Sequence, residues 1–440
     1  MNAGTEQLDP RMIAPLPAAR GQALVEILAQ AECPALTARR ARRAELSGAA
    51  HDPIVWSRAA GVNVWDTDGN RYLDLSAGFG AAAVGHGAPA VVQAVQRQTE
   101  QLMHALGDVH PSETKVALLA RLAQLAPFED ARVMLGLSGA DAVTAALKTA
   151  ALHTRRPGVL AFRGGYHGLE YGPLAACGYS EPFRAPFTAQ LNPHVVFAPY
   201  PRAGMPVDAA ISAVELAWGT RDDIGAVLIE PVLGRGGAVA PPAGFLAALC
   251  ALCDRRAALL IADEVLTGLG RCGALLRSVH DGAHPHLICL GKALGAGLPV
   301  SACLGQAEVM AAWGDPAGEA LHTGTFFGNP LGCAAALAAL ELIESQRLWE
   351  RAERVGAWFR RHLAQQIGAR VVDVRGAGLL VGIELGSGAQ TLALVRSLLE
   401  RGYIVVPGGV DGRVLSLTPP LVIEQARLEG FSSALAELLA

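Results

Sequence analysis

One lysine in the sequence has surroundings that favour covalent chemistry. Lys292 lies in HLICLGKALGAGLPVSACLG, between two apolar runs and beside several glycines. Removal of water around such a lysine lowers its pKa and makes the neutral amine available to attack a carbonyl carbon. A lysine that extends to solvent from the end of a strand would give the same local pattern, so both interpretations stay open.

Two other groups with chemical potential follow apolar runs. Asp263 ends the run AALLIAD, where a carboxylate is costly unless it meets a cation or several hydrogen-bond donors. A protonated ring nitrogen would be such a partner, and a structural ion pair is the alternative. Ser138, Gly139 and Ala140 follow RVMLGL and open a helix, whose first N–H groups can bind an anion or serve only as a helix cap.

These three groups match the needs of one cofactor. Pyridoxal phosphate requires an anion site for its phosphate, an acid for its ring nitrogen and an amine for its aldehyde carbon. Lys292, Asp263 and the pair Gly139 and Ala140 could supply them.

The elements that would position these groups form an α/β pattern. Short apolar runs alternate with helical segments through the middle of the chain: RVMLGL, GVLAF, GAVLIEPV, AALLIADEV and HLICL. Runs of this length indicate parallel strands buried on both faces. We therefore predict an open, mostly parallel sheet, with its ligand beyond the carboxyl ends of the strands.

We expect the chain to divide into four segments. Residues 1–45 form an N-terminal extension and helical arm that includes most of the basic run TARRARRAEL, interpreted as a solvated helix face. Residues 46–85 contain short strands and the hairpin signal Asp68-Gly69-Asn70. Residues 86–340 form the large cofactor-binding domain. Residues 341–440 join 46–85 in a smaller α+β domain built from both chain ends.

Composition narrows the class of protein. Of the 440 residues, 51% are hydrophobic and 17% are charged, which is typical of a compact globular protein. A net charge of -4 gives no electrostatic reason to expect nucleic acid, and no segment is interpreted as a membrane span. The eight scattered cysteines indicate free thiols in a reducing compartment, the cytoplasm. We expect small-molecule partners and no metal site.

Nine blocks of the sequence, in order, resemble the class III (ornithine/GABA type) aminotransferases of PLP fold type I, from about residue 54 to near the C-terminus. The blocks are DGNRYLDLSAG, GHGAPAVVQAVQRQ, SGADAVTAALKTA, GGYHG, EPVLGRGG, LLIADEVLTGLGRCG, LGKALGAGLPVSA, HTGTFFGNPLGCAAALAAL and RGAGLLVG. The resemblance implies a pyridoxal-phosphate-dependent transaminase that moves an amino group from an amine or amino acid to a keto acid or aldehyde by a ping-pong mechanism. An amino-acid racemase or epimerase, or a dialkylglycine-type decarboxylase, on the same fold is the alternative. A metal- or nucleotide-binding protein on a Rossmann-like sheet is a rival of another class.

The resemblance also implies roles for single residues at the cofactor. Lys292 would form the Schiff base and move the proton between substrate and cofactor. Asp263 would pair with the ring nitrogen and keep it protonated. Gly139 and Ala140 would bind the phosphate.

Four further roles follow from the same resemblance. Tyr166 would stack on one face of the cofactor ring and Val265 would cover the other. Glu230 matches a carboxylate that braces the site. Thr325 matches a residue that reaches the phosphate from the neighbouring subunit, so a homodimer with shared active sites is implied.

The chain departs from the family where substrates are recognised. Ornithine- and GABA-type members usually carry glutamine at the position of Leu233, glutamate at Arg235, and arginine at Ser416. GABA-type members also carry arginine at the position of Leu169. We hypothesise that Arg235 binds a substrate carboxylate from a new position, since a guanidinium matches a carboxylate in shape. An ion pair between Arg235 and a structural acid is the alternative.

Overall fold

The computed structural model describes residues 7–47, 53–314 and 320–440. Its elements, in chain order, are α1 (Ala19–Ala31), α2 (Pro34–Ser47), β1 (Trp56–Ala60), β2 (Asn63–Asp66), β3 (Arg71–Asp74), α3 (Ala77–Gly80), α4 (Pro89–Gln101), α5 (Glu113–Leu125), β4 (Arg132–Gly136), α6 (Gly139–Thr154), β5 (Gly158–Phe162), α7 (Tyr171–Ala175), α8 (Glu181–Arg184), β6 (Val195–Ala198), α9 (Val207–Trp218), β7 (Ile224–Ile229), α10 (Phe245–Arg255), β8 (Leu259–Asp263), α11 (Arg277–His280), β9 (Leu287–Leu290), β10 (Ser301–Gly305), α12 (Ala307–Met310), α13 (Pro330–Ser345), α14 (Leu348–Ile367), β11 (Asp373–Ala377), β12 (Leu380–Glu384), α15 (Gly388–Glu400), β13 (Tyr403–Ile404), β14 (Val406–Gly408), β15 (Val414–Leu417) and α16 (Gln425–Leu438). The longest helices and the most apolar strands follow residue 130.

The central sheet has seven strands in the order β4-β10-β9-β8-β7-β5-β6. Strands β5 to β9 pair in parallel, whereas β10 runs antiparallel to both β9 and β4. Every residue of β5, β7, β8 and β9 is buried, because these strands are apolar except for the terminal Asp263 and helices cover both faces of the sheet. The prediction of a mostly parallel sheet is confirmed.

The order of strands determines which side chains meet. Strand β8 lies between β7 and β9, so the residues that follow these three strands share one edge of the sheet. Glu230 comes directly after β7, Asp263 ends β8, and Lys292 follows β9 by two residues. Parallel pairing therefore places Asp263 one strand away from the lysine position and Glu230 two strands away, along the same edge.

Two smaller sheets are built from the chain ends. Their orders are β1-β2-β3-β13 and β11-β12-β15-β14. Strand β3 pairs in parallel with β13, so the early β segment and the C-terminal region share a sheet. The predicted hairpin joins β2 and β3, and Gly69 in its turn has a φ of 90°. The domain boundaries themselves stay a prediction.

The N-terminal arm is helical. The run TARRARRAEL lies within α2, which packs on α15 of the C-terminal region. Within the described residues, no helix combines the length and apolar character needed to cross a membrane.

Candidate functional site

Lys292 lies at the centre of the predicted cluster. It is half-buried and begins a short 3-10 turn, Lys292–Gly295, with a left-handed φ of 36°. Burial lowers the pKa of Lys292, while the charges of Asp263 and Glu230 oppose that effect. The lysine therefore has the lowered basicity that nucleophilic amines need, and two carboxylates lie within electrostatic range of it.

Asp263 is held by a partner that the sequence did not identify. Its Oδ2 lies 2.7 Å from Nδ1 of His167, and its Oδ1 accepts a hydrogen bond from the backbone N–H of Val265 at 3.1 Å. Both side chains are buried, and Nε2 of His167 has no hydrogen-bond partner among the described residues. A carboxylate offers about four acceptor positions, so Asp263 can still accept from a protonated ring nitrogen. His167 therefore orients the carboxylate of Asp263.

Glu230 connects two loops of the site. Its Oε1 accepts from the backbone N–H of Tyr166 at 2.9 Å and its Oε2 accepts from the N–H of Gly234 at 3.0 Å. Burial raises the pKa of Glu230 to about 7, against the opposing effect of His167. The contacts agree with a bracing carboxylate, because each oxygen fixes a different loop.

The start of α6 has the features of an anion cradle as well as those of a helix cap. Ser138 Oγ accepts from the N–H of Asp141, and Asp141 Oδ2 accepts from the N–H groups of Leu137 and Ser138. The N–H groups of Gly139 and Ala140 have no hydrogen-bond acceptor in the described part of the chain. Two free donors at a helix N-terminus suit a phosphate.

Gly139 is required by close packing. A Cβ atom built on Gly139 would lie 2.7 Å from Cγ1 of Val265, and one built on Gly291 would lie 3.2 Å from the same atom. Val265 therefore contacts both the helix N-terminus and the segment that leads to Lys292. This contact brings the predicted phosphate and amine anchors to one side chain.

Tyr166 and Val265 flank the Asp263–His167 pair along the chain. Tyr166 precedes His167 and is half-buried, while Val265 follows Asp263 by two residues. Their positions fit two covers of a ring bound at Asp263. Tyr166 also packs edge-on against Tyr179, with ring centroids 6.2 Å apart.

Arg235 lies in a cage of aromatic rings. Its Cζ is 4.7 Å from the ring centroid of Tyr166, 4.9 Å from that of Tyr179 and 5.5 Å from that of Phe183. The backbone N–H of Gly409 donates to the carbonyl of Arg235 at 2.9 Å. Across residues 7–47, 53–314 and 320–440, no acidic side chain forms an ion pair with Arg235. The alternative of a structural acid partner thus finds no support.

The other substituted positions are apolar or neutral. Leu233 is buried, Leu169 is half-exposed, and Ser416 is buried with its Oγ unpartnered among the described residues. A Cβ atom on Gly408 would lie 2.2 Å from Ser416 Oγ, so this hydroxyl is enclosed by backbone. A long cationic side chain at position 416 would have to displace that segment.

A strained loop that the sequence did not reveal packs against Lys292. Ala77, Gly78 and Phe79 all have left-handed φ values, and the buried Asp74 carboxylate accepts from the N–H groups of Ser76 and Gly78. Each such non-glycine residue costs on the order of 1–3 kcal/mol and persists where other contacts hold it. A Cβ atom on the next residue, Gly80, would lie 3.6 Å from Cδ of Lys292.

Thr325 is not part of this cluster within one subunit. It is exposed, in the loop before α13, and no contact links it to Lys292 or Gly139. Its neighbour Phe326 packs against His104, with ring centroids 5.3 Å apart. The structure therefore brings together all the predicted cofactor residues except Thr325.

Comparisons with known proteins agree with one family over most of the chain. The model of the aminotransferase class-III family matches residues 46–439. An acetylornithine aminotransferase of Methanopyrus kandleri is 39% identical over 88% of this chain and 93% of its own length. A 4-aminobutyrate aminotransferase of Mycobacterium leprae is 35% identical over 88% of this chain and 91% of its own. The structure of an ornithine aminotransferase from Toxoplasma gondii, with partial occupancy of PLP, has a TM-score of 0.83 and 30% identity, and covers 95% of this chain and 94% of that one.

Proposed function

Because this chain belongs to the class-III aminotransferase family, we propose that Lys292 is the residue that binds its cofactor covalently. The protein is a pyridoxal-phosphate-dependent transaminase, and it moves amino groups between small-molecule amines and keto acids. The observation that supports the role of Lys292 is its position: a lysine of lowered pKa, at the sheet edge that also carries Asp263 and Glu230.

The residues around Lys292 fit the cofactor group by group. Gly139 and Ala140 offer two N–H groups at a helix N-terminus for the phosphate. Asp263, aligned by His167, would accept a hydrogen bond from the ring nitrogen. Tyr166 and Val265 would cover the two faces of the ring. When bound, pyridoxal phosphate withdraws electrons from the substrate carbon that bears the amine.

The protein's own part in the reaction is to hold atoms and move a proton. Lys292 Nζ would carry the proton between the substrate carbon and the cofactor, and a lowered pKa suits an amine that accepts and returns a proton. Asp263 would keep the ring nitrogen protonated, and His167 keeps the carboxylate of Asp263 in one orientation. Glu230 fixes the backbone of Tyr166 and Gly234, so that the loops on both sides of the site keep their places.

We assign the substrate carboxylate to Arg235. Aromatic rings surround its guanidinium, and the described residues supply no acidic ion-pair partner for it, so its positive charge remains available to a ligand. A guanidinium binds a planar carboxylate through two parallel hydrogen bonds. The amine donor and the keto acid acceptor would then bind their carboxylates to the same guanidinium in the two halves of the reaction.

We further propose a homodimer with shared sites. Large apolar side chains are exposed in three loops: Phe79 is 71% exposed, Met103 59%, Leu106 61%, Val109 65% and Phe326 55%. The loop after α4 contacts the loop before α13, because His104 packs against Phe326 and the carbonyl of Met103 accepts a hydrogen bond from Asn329. Clusters of exposed apolar side chains are typical of surfaces that a partner covers. Thr325 lies beside Phe326, so an interface here would carry Thr325 to a second active site.

The compartment we propose is the cytoplasm. The cysteines in the described residues are free, and all but Cys33 are buried. Buried thiols without disulfides are typical of proteins kept in reducing surroundings.

The test uses purified holoenzyme and a Lys292→Ala variant. We expect the wild type to show visible absorbance from the lysine-bound cofactor, to lose it on addition of an amine donor, and to recover it with a keto acid. The variant should lack that absorbance and turnover. Exchange of the α-hydrogen with inversion of the centre, but without net transfer of the amine, would instead identify a racemase.

A further inference from the structure

A cavity of about 590 Å³, separate from the candidate site, has a strongly basic lining. It lies where the loops after β6 and β7 meet helix α14 and strand β11. Its charged lining residues are Arg202, Arg360, Arg361, Arg375 and Asp373. Four cations against one acid leave an excess of positive charge on the walls, and a concave surface of this kind concentrates anions from solution.

The single acid of the lining is already paired within the protein. Arg375 Nη1 donates to Asp373 Oδ2 at 3.0 Å and also to the carboxylate of Glu384. Arg375 Nε donates to the carbonyl of Gly237 at 2.8 Å, which ties strand β11 to the loop after β7. Asp373 is therefore occupied by Arg375, and it is the Arg375 charge that it neutralises.

The remaining arginines have less compensation. Arg360 Nη1 donates to the carbonyl of Gly378 at 2.7 Å, and its Nη2 lies 3.9 Å from Glu353, which is a loose ion pair. Arg202 and Arg361 are exposed, and within the described residues neither side chain has an ion pair or a hydrogen bond. Two guanidiniums at the cavity are thus available to a ligand.

The walls that carry these two arginines are fixed by backbone contacts. The N–H of Ala203 donates to the carbonyl of Ala240 at 3.1 Å, so the segment with Arg202 is held beside the loop after β7. Helix α14, which carries Arg361, packs on β11. Walls held in this way need little rearrangement when a ligand binds, and this lowers the cost of binding.

We propose that this cavity binds a phosphate group, free or as the ester of a small molecule, between Arg202 and Arg361. A guanidinium donates two parallel hydrogen bonds to phosphate oxygens. A phosphate monoester carries roughly 1.5 to 2 negative charges at neutral pH, so it can satisfy two cations, whereas a carboxylate has only one charge. The site lies outside the residues assigned to cofactor and substrate, and it does not depend on which amine the enzyme uses.

The experiment measures phosphate binding to the holoenzyme, in which the cofactor fills the phosphate site at α6. Calorimetry at constant ionic strength, with chloride as the reference anion, gives the affinities for inorganic phosphate and for methyl phosphate. The variants are Arg202→Gln and Arg361→Gln. The control is Arg354→Gln, because Arg354 is an exposed arginine of the same helix α14 that does not line this cavity.

We expect the wild type to bind phosphate with a dissociation constant on the order of 1 mM. Each of Arg202→Gln and Arg361→Gln should weaken that binding by about tenfold, and Arg354→Gln should leave it unchanged. Methyl phosphate that binds as tightly as phosphate would identify an ester as a possible ligand, and binding of inorganic phosphate alone would identify the free ion.

Two further measurements separate loss of the site from loss of the fold. Without phosphate, the thermal unfolding midpoint and the transaminase activity of all three variants should match those of the wild type. Added phosphate should raise the midpoint of the wild type and of Arg354→Gln more than that of Arg361→Gln. No binding of phosphate to the wild type beyond that of chloride would overturn the inference. Binding that survives both substitutions, or that Arg354→Gln weakens equally, would overturn it as well.

Discussion

Replacement of Gly139 by alanine should weaken cofactor binding through a steric contact. The new Cβ would lie 2.7 Å from Cγ1 and 3.1 Å from Cγ2 of Val265. Carbon atoms prefer separations of about 3.5–4.0 Å, so one of the two segments must move by roughly 1 Å. The helix N-terminus and its free N–H groups are then displaced from the segment that carries Lys292.

The magnitude follows from the cost of an overpacked contact. Extra methyl groups in a well-packed site cost about 1–3 kcal/mol. If most of that cost is relieved when the cofactor is absent, affinity for pyridoxal phosphate falls by roughly five- to 150-fold. The dissociation constant is measured by titration of apoenzyme with the cofactor, followed by visible absorbance.

A second substitution separates this reasoning from a general loss of stability. Val265→Ala removes both Cγ atoms, so the double variant Gly139→Ala/Val265→Ala should bind the cofactor better than the sum of the single effects, by at least about 1 kcal/mol. Gly172→Ala is the control, because its nearest atom, Thr144 Oγ1, would be at an ordinary 3.7 Å. Wild-type affinity in Gly139→Ala, or strict additivity in the double variant, would refute the argument.

Three further predictions concern pH, the neighbour of Asp263 and assembly. The pKa of Glu230 is raised to about 7, so its contribution to folding stability is full below about pH 4.5 and is lost as pH rises through 7. Urea unfolding of the holoenzyme should therefore show a loss of about 2.5 kcal/mol between pH 5 and pH 8 that Glu230→Gln lacks. Equal losses in both proteins would contradict the raised pKa. His167→Ala leaves an oxygen of the buried Asp263 carboxylate unpaired, at a cost of about 1–3 kcal/mol. The affinity for the cofactor, measured by absorbance titration, should therefore fall. An unchanged affinity would show that His167 does not position Asp263. Leu106→Asp places a charge in the proposed interface and should yield monomers in sedimentation equilibrium. The control Leu216→Asp changes an 84% exposed position on α9 and should leave the dimer intact. Persistence of the dimer in Leu106→Asp would place the interface elsewhere.

The fold was predictable wherever apolar runs have the length of strands. The runs at 158–162 and 259–263 are strands β5 and β8, because segments that are apolar on both alternating faces are stable only when both faces are buried. The same reasoning identified Lys292 and Asp263 as candidate site residues, because each is a charged residue next to an apolar run, where burial of a charge is costly. The antiparallel direction of β10 could not be predicted, because an apolar run alone does not distinguish parallel from antiparallel pairing.

Contacts between side chains that are far apart in the sequence could not be predicted either. His167 and Asp263 are 96 residues apart, and nothing in the local sequence of either predicts their hydrogen bond. The cage around Arg235 combines rings from two other segments, at positions 166, 179 and 183. The left-handed residue Phe79 gave no signal either, because glycines on both sides of it suggest only a turn.

The parallel pairing of β3 with β13 has a consequence for the order in which the chain folds. Leu73 pairs with Tyr403, and Gln7 bonds to the carbonyl of Val422, so these contacts close loops of more than 300 residues. During synthesis the hairpin of β2 and β3 emerges early, yet its neighbouring strand is among the last segments to leave the ribosome. The edge of β3 that pairs with β13 therefore stays unpaired until the C-terminal region has been synthesised, although the central sheet can already form. A chain truncated before residue 400 should therefore keep an open strand edge and be prone to aggregation.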